Sequence, residues 1–340
     1  MDLDASLRSI HIAVVIPAYR AADSLPAVVA GIPDWVRSIV VVDDASGDDT
    51  ADVADRLAGA DERVFVVRRP ANGGVGAAMK SGYLRAVESG AHIVVKMDSD
   101  GQMDPDYLAH LVLPLALGEA DYAKGNRFLR PDTLTRMPLA RLLGNAVLSF
   151  ASKLSSGYWS VFDPTNGFTA VSREALTTID VSRVEDGYFF ESSMLAELGL
   201  ARAVVVDVAM PSRYGDEKSH LSIVSALLTF GPKHLRRFGR RVFHRYILTD
   251  FSAASLLLFV GAPLVLYGVW FGATAWIEGA ELDRPATAGT VMIAAFTTAG
   301  GLYCLVQAMV YDMLNMPQRP LTFPRLGLLT SAELIANRTR

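Results

Sequence analysis

Two long stretches without a charged residue, 251–277 and 285–311, constrain the fold more than any other feature of this sequence. Each is longer than the roughly 20 apolar residues that cross the hydrocarbon core of a bilayer as a helix. We therefore predict two transmembrane helices within residues 251–316. The alternative is a pair of helices buried in a soluble core, but their length, their adjacency and the basic segment before them favour the membrane.

Charge on either side of these stretches predicts their orientation. The loop between them is acidic, with Glu278, Glu281 and Asp283 beside a single Arg284, whereas lysine and arginine are dense before the first stretch. Basic residues mark the cytoplasmic side of a span, so we expect both ends of the hairpin inside and the acidic loop outside. The first nine residues contain acidic side chains and no apolar core, which argues against a signal peptide. We predict a multi-pass protein of the cell membrane whose amino-terminal domain is cytoplasmic. The basic residues before the first span are Lys233, Arg236, Arg237, Arg240, Arg241 and Arg245.

The amino-terminal part alternates short apolar runs with helical segments, a pattern typical of an α/β domain with a mainly parallel, doubly wound sheet. In such sheets ligands bind beyond the carboxyl ends of the strands, where this sequence places Asp43, Asp44, Asp98 and Asp100. The predicted strands are 12–16, 38–42, 64–67, 93–97 and 203–208. The predicted domain organisation is 1–220 for the α/β domain, 221–250 for basic amphipathic helices at the membrane interface, 251–316 for the two spans and 317–340 for a cytoplasmic tail.

Asp98 and Asp100, with Gln102 close behind, form the most informative polar cluster. Two carboxylates one residue apart, directly after a buried strand, are suited to a hard cation such as Mg²⁺ or Mn²⁺ that also binds phosphate oxygens. The alternative for an isolated Asp-x-Asp pair is solvated surface charge. The apolar strand before the pair and the α/β pattern around it favour the metal site.

Other polar residues indicate a bound nucleotide. Asp44 is placed to accept hydrogen bonds from a nucleobase or ribose, although a helix-capping role is also open. The glycines at 73–76 follow the third strand, whereas a dinucleotide-binding fingerprint belongs after the first, so we reject that interpretation. Arg127, Arg213 and Lys218 are candidate partners of a diphosphate because their cations pair with phosphate oxygens; the alternative is exposed charge.

The cysteine count, the histidine positions and the net charge argue against a disulfide, a histidine-bound metal and a nucleic-acid partner. Cys304 has no second cysteine to pair with, and the six histidines show no metal-ligand spacing. The net charge of −4 gives no reason to expect a nucleic-acid partner.

The motifs taken together resemble the family 2 glycosyltransferases with a GT-A fold, in particular the branch of the bacterial polyprenyl-phosphate glycosyltransferases and dolichol-phosphate mannose synthase. The resemblance covers about residues 10–220 and rests on segments that occur in the family's order. They are Val14-Val-Ile-Pro-Ala-Tyr19, Val41-Val-Asp-Asp-Ala-Ser46, Asn72-Gly-Gly-Val-Gly76, Met97-Asp-Ser-Asp-Gly-Gln102 and Gly125-Asn-Arg127.

This resemblance implies a role for each matching residue. A donor pocket is implied for Pro17, Tyr19, Asp44, Gly74 and Lys80, and a Mg²⁺ or Mn²⁺ site for Asp98, Asp100 and Gln102. Arg127 and Arg213 are implied to bind phosphates, and Asp163 and Glu191 to be acceptor-side carboxylates; with Asp100 they form the expected catalytic set. The sequence departs from the family at Arg213-Tyr-Gly-Asp-Glu-Lys218-Ser219, where lysine precedes serine, and this leaves the role of Lys218 open.

The activity that the resemblance implies is an inverting transfer of a sugar from a UDP- or GDP-sugar to polyprenyl phosphate, at the cytoplasmic face of the membrane. The membrane lipid is then a further partner, and a homo-oligomer is left open. One alternative is transfer to a hydroxyl of a glycolipid or growing glycan. A second is a non-catalytic membrane scaffold that binds a nucleotide-sugar.

Overall fold

A computed structural model of the protein describes residues 3–129, 139–210 and 223–322. The chain forms two compact units, the first comprising Met1–Phe238 with the segment that begins at Pro317, and the second comprising Gly239–Met316. The strands of the first unit are β1 Ile12–Ala18, β2 Ser38–Asp43, β3 Val64–Arg68, β4 Ile93–Lys96, β5 Tyr122–Asn126, β6 Thr169–Ser172 and β7 Val205–Ala209. Its helices are α1 Leu3–Arg8, α2 Leu25–Ala30, α3 Thr50–Ala60, α4 Val75–Glu88, α5 Leu108–Ala116, α6 Leu139–Ser156, α7 Arg173–Thr178 and α8 Phe190–Ala201, followed by α9 Ile223–Phe243.

Within the described residues, seven strands form one sheet in the order β3-β2-β1-β4-β6-β5-β7. The strands β3, β2, β1 and β4 are parallel, β6 runs antiparallel to both of its neighbours, and β5 pairs in parallel with β7. The predicted α/β fold with a mainly parallel sheet is therefore confirmed. Two strands, β5 formed by Tyr122–Asn126 and the antiparallel β6 formed by Thr169–Ser172, were not predicted.

Apolar side chains alternate between the two faces of the sheet and build a core on each. Val14 and Ile16 of β1 belong to one cluster, and Ala13 and Val15 belong to the other. Successive side chains of a strand point to opposite faces, so an unbroken apolar run such as this suits a strand covered by helices on both sides.

The second unit contains the two long apolar helices, α10 Ala253–Glu281 and α11 Ala288–Leu314. Their most apolar windows have mean hydropathies of 2.0 and 1.6, yet only 11% and 6% of the residues in those windows are buried. A core helix of a soluble protein is mostly buried, so this exposure favours the membrane over the alternative that we weighed from the sequence. The two helices are candidate membrane spans, and exposed apolar side chains such as Trp276 fit that assignment.

Glycines let the two long helices pack closely within the second unit. A Cβ atom added at Gly268 would lie 2.6 Å from Thr297 Oγ1, and one added at Gly261 would lie 2.9 Å from the Cβ of Cys304. Small residues at such positions allow helix backbones to approach in a membrane, where no hydrophobic effect draws helices together.

Three residues of the basic segment before the spans are already paired within the protein. Lys233 lies 2.9 Å from Glu185, Arg237 lies 2.8 Å from Glu197, and Arg241 forms two hydrogen bonds of 2.8 and 3.0 Å with the carboxylate of Asp312. The sequence predicted this run as the basic flank of the first span and did not reveal these partners.

The chain returns to the first unit after the second span. Asp121, which is fully buried, accepts hydrogen bonds from the backbone N–H groups of Leu321 and Thr322 at 3.0 and 2.7 Å, and from the Thr322 hydroxyl at 2.6 Å. Both ends of the membrane hairpin are therefore anchored in the same unit.

Candidate active site

The loops that follow β1, β2 and β4 meet at the carboxyl edge of the sheet. The backbone N–H of Arg20 donates to the Ser46 hydroxyl at 3.1 Å, which joins the first two loops. The Ser24 hydroxyl donates to the carbonyl of Ser99 at 2.6 Å, which joins the first loop to the Asp98–Asp100 segment. Side chains that lie far apart in the sequence are thereby held at one edge, as expected for parallel strands.

Two of these loops contain residues in the left-handed backbone region. Arg20, directly beyond β1, has φ 53°, and Ala45, directly beyond β2, has φ 55°. Such conformations cost about 1–3 kcal/mol for residues other than glycine and are concentrated at binding sites. Here they turn the chain sharply at both strand ends and leave Tyr19, which is 47% exposed, at the rim of the site.

Asp44 organises the glycine-rich loop. Its buried carboxylate accepts hydrogen bonds from the backbone N–H of Gly73 at 3.1 Å and of Gly74 at 2.7 Å, and from the guanidinium of Arg69. Gly74 has φ 88° and suits this turn because it lacks a side chain. The structure therefore places Asp44 and Gly74 together, with Pro17 buried in the adjacent strand β1.

The amino terminus of α4 is capped by the protein itself. The N–H groups of Gly76 and Ala77 donate to the carbonyl oxygen of Asp186 at 2.7 and 3.2 Å. A dinucleotide fingerprint would direct such groups at a pyrophosphate, so this contact agrees with our rejection of that interpretation. Lys80, predicted to bind the donor, lies 2.8 Å from the Asp186 carboxylate and forms an ion pair with the loop before α8.

The predicted metal site has a buried lysine beneath it. Lys96, at the end of β4 and 1% exposed, lies 2.5 Å from Asp98 Oδ1 and 3.4 Å from Glu191 Oε1. Burial alone lowers the pKa of Lys96, but the carboxylates of Asp98 and Glu191 outweigh it and raise this pKa above its ordinary value. The structure thus brings together a predicted metal ligand and a predicted acceptor-side carboxylate, joined by one ammonium group that sequence reasoning missed.

Asp98, Asp100 and Gln102 fit a divalent cation that takes further ligands from a substrate. Asp98 is partly exposed, Asp100 and Gln102 are exposed, and Asp100 accepts a 2.9 Å hydrogen bond from the Gln102 backbone. In the part of the chain that the structure describes, no three His, Cys, Asp or Glu side chains are grouped closely enough to enclose a metal. Oxygen donors that do not enclose the ion are typical of Mg²⁺ and Mn²⁺ sites completed by phosphate and water.

The segment 163–167 packs against this cluster. A Cβ atom added at Gly167 would lie 2.9 Å from Asp98 Oδ2 and would overlap with the Lys96 ammonium. Gly167 therefore lets the loop approach the predicted metal ligands without displacing the Lys96 and Asp98 side chains, a role that its place in a turn-rich sequence did not reveal.

Arg127 and Asp163 form a paired fork. Arg127 Nε donates to Asp163 Oδ2 at 2.8 Å, and Nη2 donates to Oδ1 at 3.0 Å. Burial raises the pKa of Asp163, but the hydrogen bonds and charge of Arg127 outweigh that effect and hold the pKa below its ordinary value. Asp163 thus remains ionised and fixes the direction of the guanidinium.

A second buried lysine lies in the same row of the sheet. Lys96 and Lys124 both pair in register with Thr169, from the strands on either side of β6. Lys124 donates to the Asn166 carbonyl at 2.6 Å, and burial lowers its pKa to about 8. For Lys96 the available signal was a lysine at the end of an otherwise apolar strand, whereas Lys124 lies in the middle of β5, which the sequence did not predict as a strand. The remaining predicted site residues, Arg213 and Lys218, lie outside the described residues.

Comparisons with known proteins agree with this geometry. Residues 13–179 match the family described as Glycosyl transferase family 2. The chain is 36% identical over 182 residues to polyprenol monophosphomannose synthase of Mycolicibacterium smegmatis, covering 52% of this chain and 68% of that protein. It is 32% identical over 221 residues to undecaprenyl-phosphate mannosyltransferase of Micrococcus luteus, covering 63% and 89% respectively.

A third relative differs in its sugar. UDP-N-acetylglucosamine--dolichyl-phosphate N-acetylglucosaminyltransferase of Methanococcus voltae is 32% identical over 179 residues, which cover 49% of this chain and 71% of that protein. Among solved structures, glucosyl-3-phosphoglycerate synthase of Mycobacterium tuberculosis in complex with Mn²⁺ and UDP-glucose is 26% identical with a TM-score of 0.50, covering 70% of this chain and 82% of that one. These likenesses confirm the GT-A fold expected from the sequence.

Proposed function

Because the chain belongs to glycosyltransferase family 2, we propose that it transfers a sugar from a nucleotide-sugar to polyprenyl phosphate, with inversion at the anomeric carbon. The acceptor class follows from the lipid phosphates named for its relatives and from the two candidate membrane spans. We place the reaction at the cytoplasmic face because of the basic segment before the first span.

The observation that carries the choice of acceptor is the pairing of both candidate bases with cations. Asp163 is locked to Arg127, and Glu191 lies against the buried Lys96. A hydroxyl acceptor loses a proton as it attacks and needs a general base, whereas a phosphomonoester with a second pKa of about 6 arrives already ionised. Carboxylates engaged in this way suit an acceptor that needs no base.

The residues of the site then have distinct tasks. The acceptor phosphate oxygen attacks the anomeric carbon, the bond to the nucleoside diphosphate breaks, and that diphosphate leaves with the bonding electrons. Arg127, oriented by Asp163, is aimed to stabilise phosphate charge during this step. A Mg²⁺ or Mn²⁺ ion held by Asp98, Asp100 and Gln102 would neutralise charge on the leaving diphosphate.

The residues of the site and the relatives specify the nucleotide-sugar donor less closely than they specify the acceptor. UDP is the nucleotide in the similar glucosyl-3-phosphoglycerate synthase structure, whereas two relatives are named for mannose. We propose a hexosyl donor carried on UDP or GDP and leave the sugar to a direct screen.

The test is initial-rate assay of the full-length chain in detergent or membranes, with labelled UDP-glucose, UDP-N-acetylglucosamine and GDP-mannose. Undecaprenyl phosphate should accept label and a neutral glycolipid should not. Asp163→Asn and Glu191→Gln should each lower kcat by less than about tenfold, the low side of the range for a lost general base. Label on the glycolipid alone, with one of these two variants inactive, would show that the hydroxyl acceptor is correct.

A metal requirement is the second arm of this test. EDTA should abolish transfer, Mg²⁺ or Mn²⁺ should restore it, and Asp100→Ala should remain folded without transferring sugar. Binding of a nucleotide-sugar without turnover on any acceptor would favour the non-catalytic scaffold.

A further inference from the structure

Lys96 is buried, where a charged group lowers the stability of the fold unless neighbouring groups compensate for its lost hydration. The side chain is 1% exposed, and desolvating an ammonium group costs several kcal/mol unless partners compensate. Its two carboxylate neighbours are Asp98 Oδ1 at 2.5 Å and Glu191 Oε1 at 3.4 Å. An apolar side chain would satisfy the packing of a strand end at lower cost, as Val94 and Val95 do on the same strand.

The contact with Lys96 determines which oxygen of the Asp98 carboxylate is available to a cation. One of its two oxygens is occupied by the ammonium, and the other is the oxygen nearest to Gly167. A fixed positive charge beside the ligand also repels any cation that approaches it, since charges a few Å apart interact strongly where water is excluded.

We propose that Lys96 is a positioning residue that keeps the protein's own affinity for the divalent cation low, so that the cation binds and leaves together with the nucleoside diphosphate. This inference rests on the proposed function for its purpose, but its central claim concerns cation binding alone. Lys96 limits Asp98 to one available oxygen and offsets negative charge on its two carboxylate neighbours, Asp98 and Glu191.

The register of the sheet provides a matched control. Lys124 is equally buried and occupies the same row, two strands away, which places the two backbones about 10 Å apart at the usual strand spacing. Its ammonium binds the Asn166 carbonyl rather than Asp98. A general effect of removing a buried lysine should therefore appear in both variants, and an effect on the cation only in the variant at position 96.

The experiment measures Mn²⁺ binding to the purified full-length protein by electron paramagnetic resonance, with and without UDP. Lys96→Met should bind Mn²⁺ in the absence of UDP at least tenfold more tightly than the wild type, while UDP improves binding far less than it does in the wild type. Lys124→Met should change the Mn²⁺ dissociation constant by less than threefold. Lys96→Gln, which keeps a hydrogen-bond donor but no charge, should behave like Lys96→Met and provides the measurement if the methionine variant does not fold.

The kinetic readout separates this role from simple loss of structure. Lys96→Met should lower kcat while reducing the Mn²⁺ concentration needed for half-maximal rate, whereas a merely unstable variant would lose rate at unchanged metal dependence. Unchanged or weaker Mn²⁺ binding in both position-96 variants, or no Mn²⁺ binding by any form with UDP, would overturn the proposal. Tighter Mn²⁺ binding in a protein that transfers no sugar would support it and refute only the proposed function.

Discussion

At the scale of single residues, the candidate site depends on how closely the loop 163–167 approaches the predicted metal ligands. Gly167 has the Lys96 ammonium and the Asp98 carboxylate within the space that a side chain would fill. Because both neighbours are held in an ion pair, neither can move away without breaking the 2.5 Å contact between them. A methyl group here should therefore disturb the site more than the fold.

We expect Gly167→Ala to lower kcat/KM by about tenfold to a hundredfold, the cost of displacing a positioned group by a fraction of an ångström. Initial rates with saturating and limiting nucleotide-sugar would measure this change. The control is Gly59→Ala, because Gly59 is exposed in α3 with nothing near its Cβ position, and alanine there should leave the rate unchanged and add up to about 1 kcal/mol of stability. Wild-type kinetics in Gly167→Ala would show that the loop adjusts freely.

Residue-level roles were the least predictable from the sequence. The resemblance identified Asp163 as an acceptor-side carboxylate, but its partner Arg127 lies 36 positions earlier in the chain, so their fork became visible only in three dimensions. Lys96 was missed because hydrophobic pattern alone treats a lysine at a strand end as solvated, and Lys124 was missed because β5 was not predicted as a strand. In contrast, Asp98 and Asp100 were found because a short motif and the strand before it lie together in the sequence.

At the scale of elements, α9 docks on the first unit through an aromatic and charged contact. The ring of Phe189 lies 5.3 Å from Phe230 and 4.7 Å from the imidazole of His234, between ring centroids. His234 is 5% exposed, and its Nδ1 lies 2.8 Å from the Ser155 hydroxyl of α6. Sequence reasoning recognised the basic character of this helix but not these partners, which come from distant parts of the chain.

This docking should weaken in acid. Burial, with a smaller contribution from the charge of Arg237, lowers the pKa of His234 from 6.5 to about 4. The unfolded chain then binds a proton near pH 6.5 that the folded chain does not, so the contribution of His234 to stability is fully present above pH 6.5. It is lost progressively as the pH falls from 6.5 to 4, by roughly 3 kcal/mol in total.

Thermal unfolding in detergent at pH 7 and pH 5 would detect this loss. The wild-type melting temperature should fall between these values by more than that of His234→Gln, because glutamine can still meet the Ser155 hydroxyl but takes up no proton. Equal slopes for the two proteins would show that other groups govern the acid sensitivity of this contact.

The membrane hairpin offers a second test at this scale. Gly268 of α10 faces Thr297 and Thr298 of α11, whereas Gly300 of α11 has open space at its Cβ position. Gly268→Ala should destabilise the pair by about 1–3 kcal/mol, the usual cost of overpacking, and Gly300→Ala should not. Melting temperatures of both variants in the same detergent would decide whether the glycines of α10 hold the hairpin together.

At the scale of the whole molecule, most of the order of elements could be predicted from the sequence because it depends on local pattern. Apolar runs predicted the parallel strands β1 to β4, and two long uncharged stretches predicted the two candidate spans. The sheet's other half was harder, since β6 is only Thr169–Ser172 and its direction depends on where the loop before it turns. The contact of Asp121 with Thr322 joins positions 201 apart, and no local pattern could have revealed it.

That contact bears directly on topology. The chain enters the hairpin from the first unit and returns to it at Leu321 and Thr322, where Asp121 accepts three hydrogen bonds. An even number of crossings is then required, and the described residues contain two helices able to cross. Together with the basic segment before α10, this agrees with the proposed arrangement, in which the first unit is inside and the end of α10 around Ala280 is outside.

Cysteine labelling of intact cells tests this arrangement. In a Cys304→Ala background, Ala280→Cys should react with a membrane-impermeant maleimide added outside, because residue 280 is exposed near the end of α10, beyond the uncharged stretch 251–277. Gly59→Cys, on the exposed surface of α3, should react only after the cells are permeabilised. The reverse pattern would place the first unit outside, where the cell's nucleotide-sugars are absent, and would refute the cytoplasmic reaction. Labelling at both positions in intact cells would instead place residues 59 and 280 on the same side of the membrane. The two helices would then not cross it, because crossing helices put these residues on opposite sides.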